Sequence, residues 1–277
     1  MSGPVRTLRI PGREVPDARG ARGARPALLV VAHGSRDPRH AATVAALCAR
    51  LRGLRPELRV EVGHLDFNAP SVPQVLTRLH ADGVRRVVAL PLLLTRAFHA
   101  KADIPAVLGE TVARLPRLAV HQADVLGPDR LLTAALERRL HEAGLRPGDE
   151  RSTGVVLASA GSSDPEAIAV IADIAREWRH ISGWCAVRPA FASASLPRTA
   201  DAVRELRAQG VRRVAVAPYV IAPGFLPDRI AAGAREAGAD LLAPVLGDAP
   251  QLARLMARRY DEALVRWAGR VSLPTGA

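Results

Sequence analysis

Cysteine and aromatic residues are scarce in this chain of 277 residues, and each scarcity excludes a class of protein. Cys48 and Cys185 are the only cysteines, far apart and without a CxxC spacing, which argues against a disulfide framework or a thiolate metal site. Aromatics are 3% of the residues and no basic stretch is interleaved with them, so binding of nucleic acid by base stacking is not expected. No docking motif of a DNA-binding regulator occurs either. Long apolar runs are missing too. None reaches eighteen residues and no apolar segment follows the N-terminal basic residues, so no membrane span and no secretory signal are expected, and the expected compartment is the cytoplasm.

The composition is otherwise apolar and basic. Apolar residues are 48% of the chain, enough to fill a sizeable core, and the formal charge is +12. Of the 39 basic residues only Lys101 is not arginine, a uniformity that points to coding bias as well as to an anionic ligand. Residues 1–26 are rich in Gly, Pro and Arg without periodicity and read as a flexible basic tail.

From Ala27 onward, short apolar runs alternate with segments of helical period. "ALLVVAH" precedes a helix over 38–54, "RVEVGHLD" one over 71–81, "RRVVALPLLL" one over 101–114 and "RLAVHQADV" one over 128–142. Strands apolar on both faces and separated by helices imply an α/β fold with a parallel sheet covered on both sides. After the turn-rich "GLRPGDERST" at 144–153 the pattern restarts at an offset of 127 residues, from Gly34 to Gly161. Ser35, Asp37, Pro38 and Pro70 meet Ser162, Asp164, Pro165 and Pro197, and "GVRRV" occurs at both 83 and 210. Two related units are expected, 27–146 and 154–268, joined by a linker over 147–153 and followed by a tail over 269–277. Each should hold a four-stranded flavodoxin-like sheet of order 2-1-3-4, with the active-site cleft between the units.

The repeat supplies an internal control, because residues that only build the fold should occur in both copies. Gly34, Asp37 and Pro38 suit a tight exit from a strand, a helix cap and a first helical position, and all three recur. His33 does not recur: Ala160 stands in its place. His99 follows the third strand as His33 follows the first, and it meets Leu226. In the 2-1-3-4 order those strand ends are neighbours, so both imidazoles open onto the crevice where ligands bind such sheets and suit a divalent first-row metal. His64 and Asp66, in "HLDF", should end the second strand with side chains on one face, making Asp66 a candidate auxiliary ligand or proton acceptor, with a helix-capping or surface role as the alternative. His40, His80, His121, His141 and His180 read as packing or surface residues.

The stretches "AHGSRDP" and "PLLLTRAFHAKADIP" resemble those of the sirohydrochlorin chelatases, the metal-inserting enzymes of siroheme and cobalamin synthesis. The resemblance is strong over residues 28–126, with a fold-level echo over 155–264. It implies a lyase-class reaction that inserts a divalent metal into sirohydrochlorin, a tetrapyrrole with eight carboxylates, with release of two protons. It makes His33 and His99 the metal-binding and catalytic pair and implies no permanent cofactor. Ferrous iron is the expected metal, with Co2+ or Ni2+ as alternatives; the tail "VRWAGRVSLPTGA" has none of the histidine-rich character that some relatives associate with cobalt. Asp66 stands where many relatives have glutamate. Ser35, Arg36, Arg96 and Lys101 are candidate partners of the substrate carboxylates, and the second unit, without the histidines, is expected to close the cleft. A non-catalytic module that binds a tetrapyrrole or another anionic ligand is the reading from a different class. The assembly is expected to be a monomer with pseudo-twofold units or a homodimer.

Overall fold

The computed structural model describes residues 25–96 and 102–271, with side chains as far as 268. His99, Lys101 and most of both expected tails lie outside the described residues. The first unit contains β1 (Ala27–Ala32), α1 (Pro38–Leu54), β2 (Val60–His64), α2 (Val72–Ala81), β3 (Arg86–Pro91), α3 (Ile104–Val112), β4 (Ala119–Gln122) and α4 (Arg130–Glu142). The second contains β5 (Thr153–Ser159), α5 (Pro165–Ser182), β6 (Ala186–Phe191), α6 (Thr199–Ala208), β7 (Arg213–Tyr219), α7 (Phe225–Glu236), β8 (Leu241–Leu242) and α8 (Pro250–Val271). Two four-stranded parallel sheets result, of order β2-β1-β3-β4 and β6-β5-β7-β8. Two pairings repeat in the same register: Leu28 opposite Val60 and Ala27 opposite Val87 in the first sheet become Val155 opposite Val187 and Gly154 opposite Val214 in the second.

Local chemistry sets the helix starts. Asp37 and Asp164 accept from the amides of Arg39 and Glu166 at 2.9 and 3.0 Å, and Pro38 and Pro165 follow them at the first helical position. Ser71 and Gln74 close a capping box on α2. Two expected boundaries shift. β5 already begins at Thr153, inside the expected linker, and α8, whose buried stripe from Leu252 to Ala263 has a surface to cover, runs to Val271, into the expected tail.

That surface belongs to the other unit. Alternation along β1 sends Leu29 and Val31 toward α2 and α3, while Leu28 and Val30 face a core that they share with α1, α8 and the second sheet. α8 packs on α1, β3 and β4, and α4 packs on β7, so the last helix of each unit covers the sheet of its sister. A reciprocal pair of contacts fastens the exchange. Arg259 on α8 donates to the carbonyl of Leu126 at 3.0 Å, and Arg139 on α4 donates to that of Leu246 at 2.8 Å. Tyr260, fully buried, donates to the carbonyl of Pro26 at 2.6 Å. No helix among the described residues is long and apolar enough to cross a membrane.

Candidate active site

Parallel strands present their carboxyl ends together, and here the ends of β1, β3, β5 and β7 surround a cavity of about 500 Å³. The apolar run of β3 continues past the strand as Leu92, Leu93 and Leu94, and that of β7 as Val220, Ile221 and Ala222, so both stretches line the cavity. His33, Gly34 and Ser35 line it from the first unit and Ala160, Gly161 and Ser162 from the second. Residues 223–227, the entry to α7 and its first turn, close in from the second unit: a Cβ added at Gly224 would lie 4.0 Å from Ser35 Oγ.

Gly34 does more than allow a tight turn. It has φ 95°, and a Cβ there would stand 1.9 Å from the carbonyl oxygen of Asp66, so the loop after β2 crosses directly above it. Gly161 repeats the arrangement at φ 92°, with a Cβ position 2.0 Å from Ser193 O. The crossing loop is held by one main-chain bond and one to a side chain: Asp66 N–H donates to His33 O at 2.9 Å, and Ser35 N–H donates to the side-chain Oδ1 of Asn68 at 2.7 Å. His33 Nδ1 lies 3.3 Å from Gly34 O. In the tautomer that carries its proton on Nδ1, facing that carbonyl, the ring's lone pair is on Nε2.

The other residues singled out in the sequence divide. Ser35 lines the cavity, and its hydroxyl accepts from Asp37 N–H at 3.1 Å. Arg36 is exposed, its guanidinium 5.1 Å from the centre of the Phe67 ring. Arg96 is exposed and pairs with Asp124 at 2.5 Å, an aspartate that also binds Arg266 of α8. Asp66 and His64 do not share a face as expected. β2 ends at His64, which is 6% exposed, and the chain then turns through Phe67 at φ 61°, leaving Asp66 exposed with Oδ1 accepting from Phe67 N–H at 2.8 Å. Among the described residues no three His, Cys, Asp or Glu side chains are grouped to hold a metal ion.

His40 was the residue missed. It sits in the first turn of α1 and lines the cavity, and its buried Nδ1 has no hydrogen-bond partner among the described residues. Burial holds its pKa below the ordinary imidazole value, and nearby His64 and His33 push in the same direction. Burial does the same to His64, whose Nδ1 is also unpartnered among the described residues. The repeat carried the signal: at the shared offset His40 meets Ala167 and His64 meets Phe191, so the second copy retains neither imidazole.

Comparison with known proteins agrees with this geometry. A family model described as CbiX matches residues 27–143 and again 154–263. The sirohydrochlorin ferrochelatase of Priestia megaterium is 26% identical over 242 residues, covering 86% of this chain and 90% of that protein. The sirohydrochlorin cobaltochelatase of the same organism is 27% identical over 206 residues, covering 73% of this chain and 66% of its own. Among solved structures, SirB from Bacillus subtilis with Fe3+ superposes with a TM-score of 0.76 at 25% identity, covering 88% of this chain and 98% of that one. CbiX, the terminal enzyme for biosynthesis of siroheme in denitrifying bacteria, shares the fold with a TM-score of 0.64 at 22% identity, covering 86% and 99%. With one family matched twice in succession, across both sheets and both walls of the cavity, the chain belongs to the CbiX family of sirohydrochlorin chelatases.

Proposed function

We propose that this protein inserts a divalent metal, ferrous iron in the first instance, into sirohydrochlorin in the cytoplasm, with two protons leaving the macrocycle for each metal that enters. The observation that carries the reading is the cavity itself: apolar at its floor, open at the carboxyl edges of both sheets, with His33 on one wall and Ala160 at the equivalent place on the other. The apolar floor suits the ring and the open rim suits its carboxylates. His33, with its lone pair on Nε2, holds the metal or takes a pyrrole proton, and His99 is assigned the second imidazole from the family's motif. Asp66, whose amide is bonded to His33 O, supplies a carboxylate at this edge of the site. Ser35, Arg36 and Lys101 are assigned to the substrate carboxylates, and Arg96 joins them by exchanging its pair with Asp124.

Cobalt is the second metal to test, since ferrochelatases and cobaltochelatases match the chain at nearly equal identity. Anaerobic absorbance of sirohydrochlorin with the protein and Fe2+, Co2+ or Ni2+ in turn should show insertion faster than the uncatalysed rate for at least one metal. His33→Ala should lower that rate about a hundredfold or more while tetrapyrrole binding persists. Absence of acceleration with every metal, with binding intact, would leave the non-catalytic binding module as the reading.

A further inference from the structure

Phe67 is a residue in the wrong backbone and the wrong solvent. At φ 61° it occupies the left-handed region that a bulky side chain rarely adopts, and its ring is 50% exposed. The turn does not require it. In the second unit the equivalent residue is Ala194 at φ 58°, within a loop that makes the same bonds: Ser193 N–H to Ala160 O at 3.0 Å and Ser195 N–H to Ser193 O at 2.6 Å, against Asp66 N–H to His33 O at 2.9 Å and Asn68 N–H to Asp66 O at 2.7 Å. Core packing does not require it either, since Phe67 belongs to none of the three apolar clusters.

What Phe67 stands beside is His33, which lines the cavity. Its ring lies 6.2 Å from the His33 imidazole at an interplanar angle of 25°, and the Arg36 guanidinium stands over it. The opposite wall repeats the combination by different residues: Phe225, 73% exposed, lines the cavity with Arg229 at 5.7 Å from its ring centre. Of the chain's four phenylalanines, these two are the exposed ones among the described residues.

We propose that Phe67 is a substrate-contacting residue, its ring forming the wall on which a flat conjugated macrocycle rests beside His33, with Arg36 held ready for one of the macrocycle's carboxylates. The inference rests on the chelatase reading above and adds to it the residue that sets the ring's position. An aromatic face supplies the stacking that aliphatic side chains cannot, and a guanidinium over such a face keeps its fork for a carboxylate.

The test uses the full chain with Phe67→Ala, Phe67→Asn and Phe67→Trp. Ala194 shows that the loop tolerates alanine, and asparagine suits left-handed backbone, so both variants should melt at or above the parent's temperature. Both should raise the Kd for metal-free sirohydrochlorin about three- to tenfold, and the loss should fall on KM rather than kcat. Binding of Co2+ alone should stay the same, and Phe67→Trp should restore the Kd. Unchanged Kd and KM in the alanine and asparagine variants, with the parent binding sirohydrochlorin normally, would overturn the assignment of Phe67 alone. Failure of the parent to bind sirohydrochlorin would overturn the function and this inference together.

Discussion

His64 shows how a side chain can matter to stability through its proton. It is buried at the end of β2, and burial alone lowers its pKa, because the charged imidazolium would lose its water. The folded chain therefore holds His64 neutral, whereas in the unfolded chain it takes up a proton as pH falls through about 6.5. Unfolding then binds more protons than the fold does. The stability owed to this group is complete above that value and is lost as pH falls below it toward the folded pKa. His64→Phe, which places at Ala32's partner position the residue that Phe191 provides opposite Ser159, should flatten the fall in urea midpoint between pH 7 and pH 5. A variant whose midpoint falls as steeply as the parent's would assign the acid sensitivity elsewhere, first to His40, which burial also keeps neutral.

At the scale of elements, the glycines at the two strand ends make the firmest prediction. Gly34→Ala and Gly161→Ala each combine a left-handed backbone with a Cβ driven into a carbonyl, 1.9 Å from Asp66 O in one unit and 2.0 Å from Ser193 O in the other. Each should cost about 2 to 5 kcal/mol in denaturant unfolding, with similar losses in the two units. A much smaller loss for Gly161→Ala would mean that only the first unit needs the crossing loop. These elements were legible in the sequence because they are local. The α1 bounds followed from Asp37, Pro38 and the apolar spacing of Val44, Leu47, Cys48 and Leu51, and the parallel strands from runs apolar on both faces. His33 was legible because Ala160 replaces it. His40 was legible by the same comparison, Ala167 replacing it, but its helical pattern read as packing; the turn at Asp66 was not legible, since strand alternation carries no sign of where pairing stops.

For the whole molecule, the exchange of final helices decides how the chain comes apart. Periodicity could reveal that α4 and α8 have an apolar stripe, but not which sheet the stripe would cover; that depends on contacts more than a hundred residues apart. Arg139 to Leu246 O and Arg259 to Leu126 O are the same contact made twice about a pseudo-twofold axis, and Tyr260 adds a buried bond to Pro26 O. Each sheet is therefore complete only with a helix from the other unit, and one apolar core runs through both. Melting one unit alone would strip a helix from its sister and expose the face carrying Leu28, Val30 and Leu90. Calorimetry should accordingly show one unfolding peak whose van't Hoff and calorimetric enthalpies agree, although the sequence is a duplication. Tyr260→Phe leaves the Pro26 carbonyl without its donor and should lower stability by about 1 to 3 kcal/mol while keeping that single peak. Two resolved peaks, with this variant lowering only one of them, would show instead that the units fold independently despite the helices they trade.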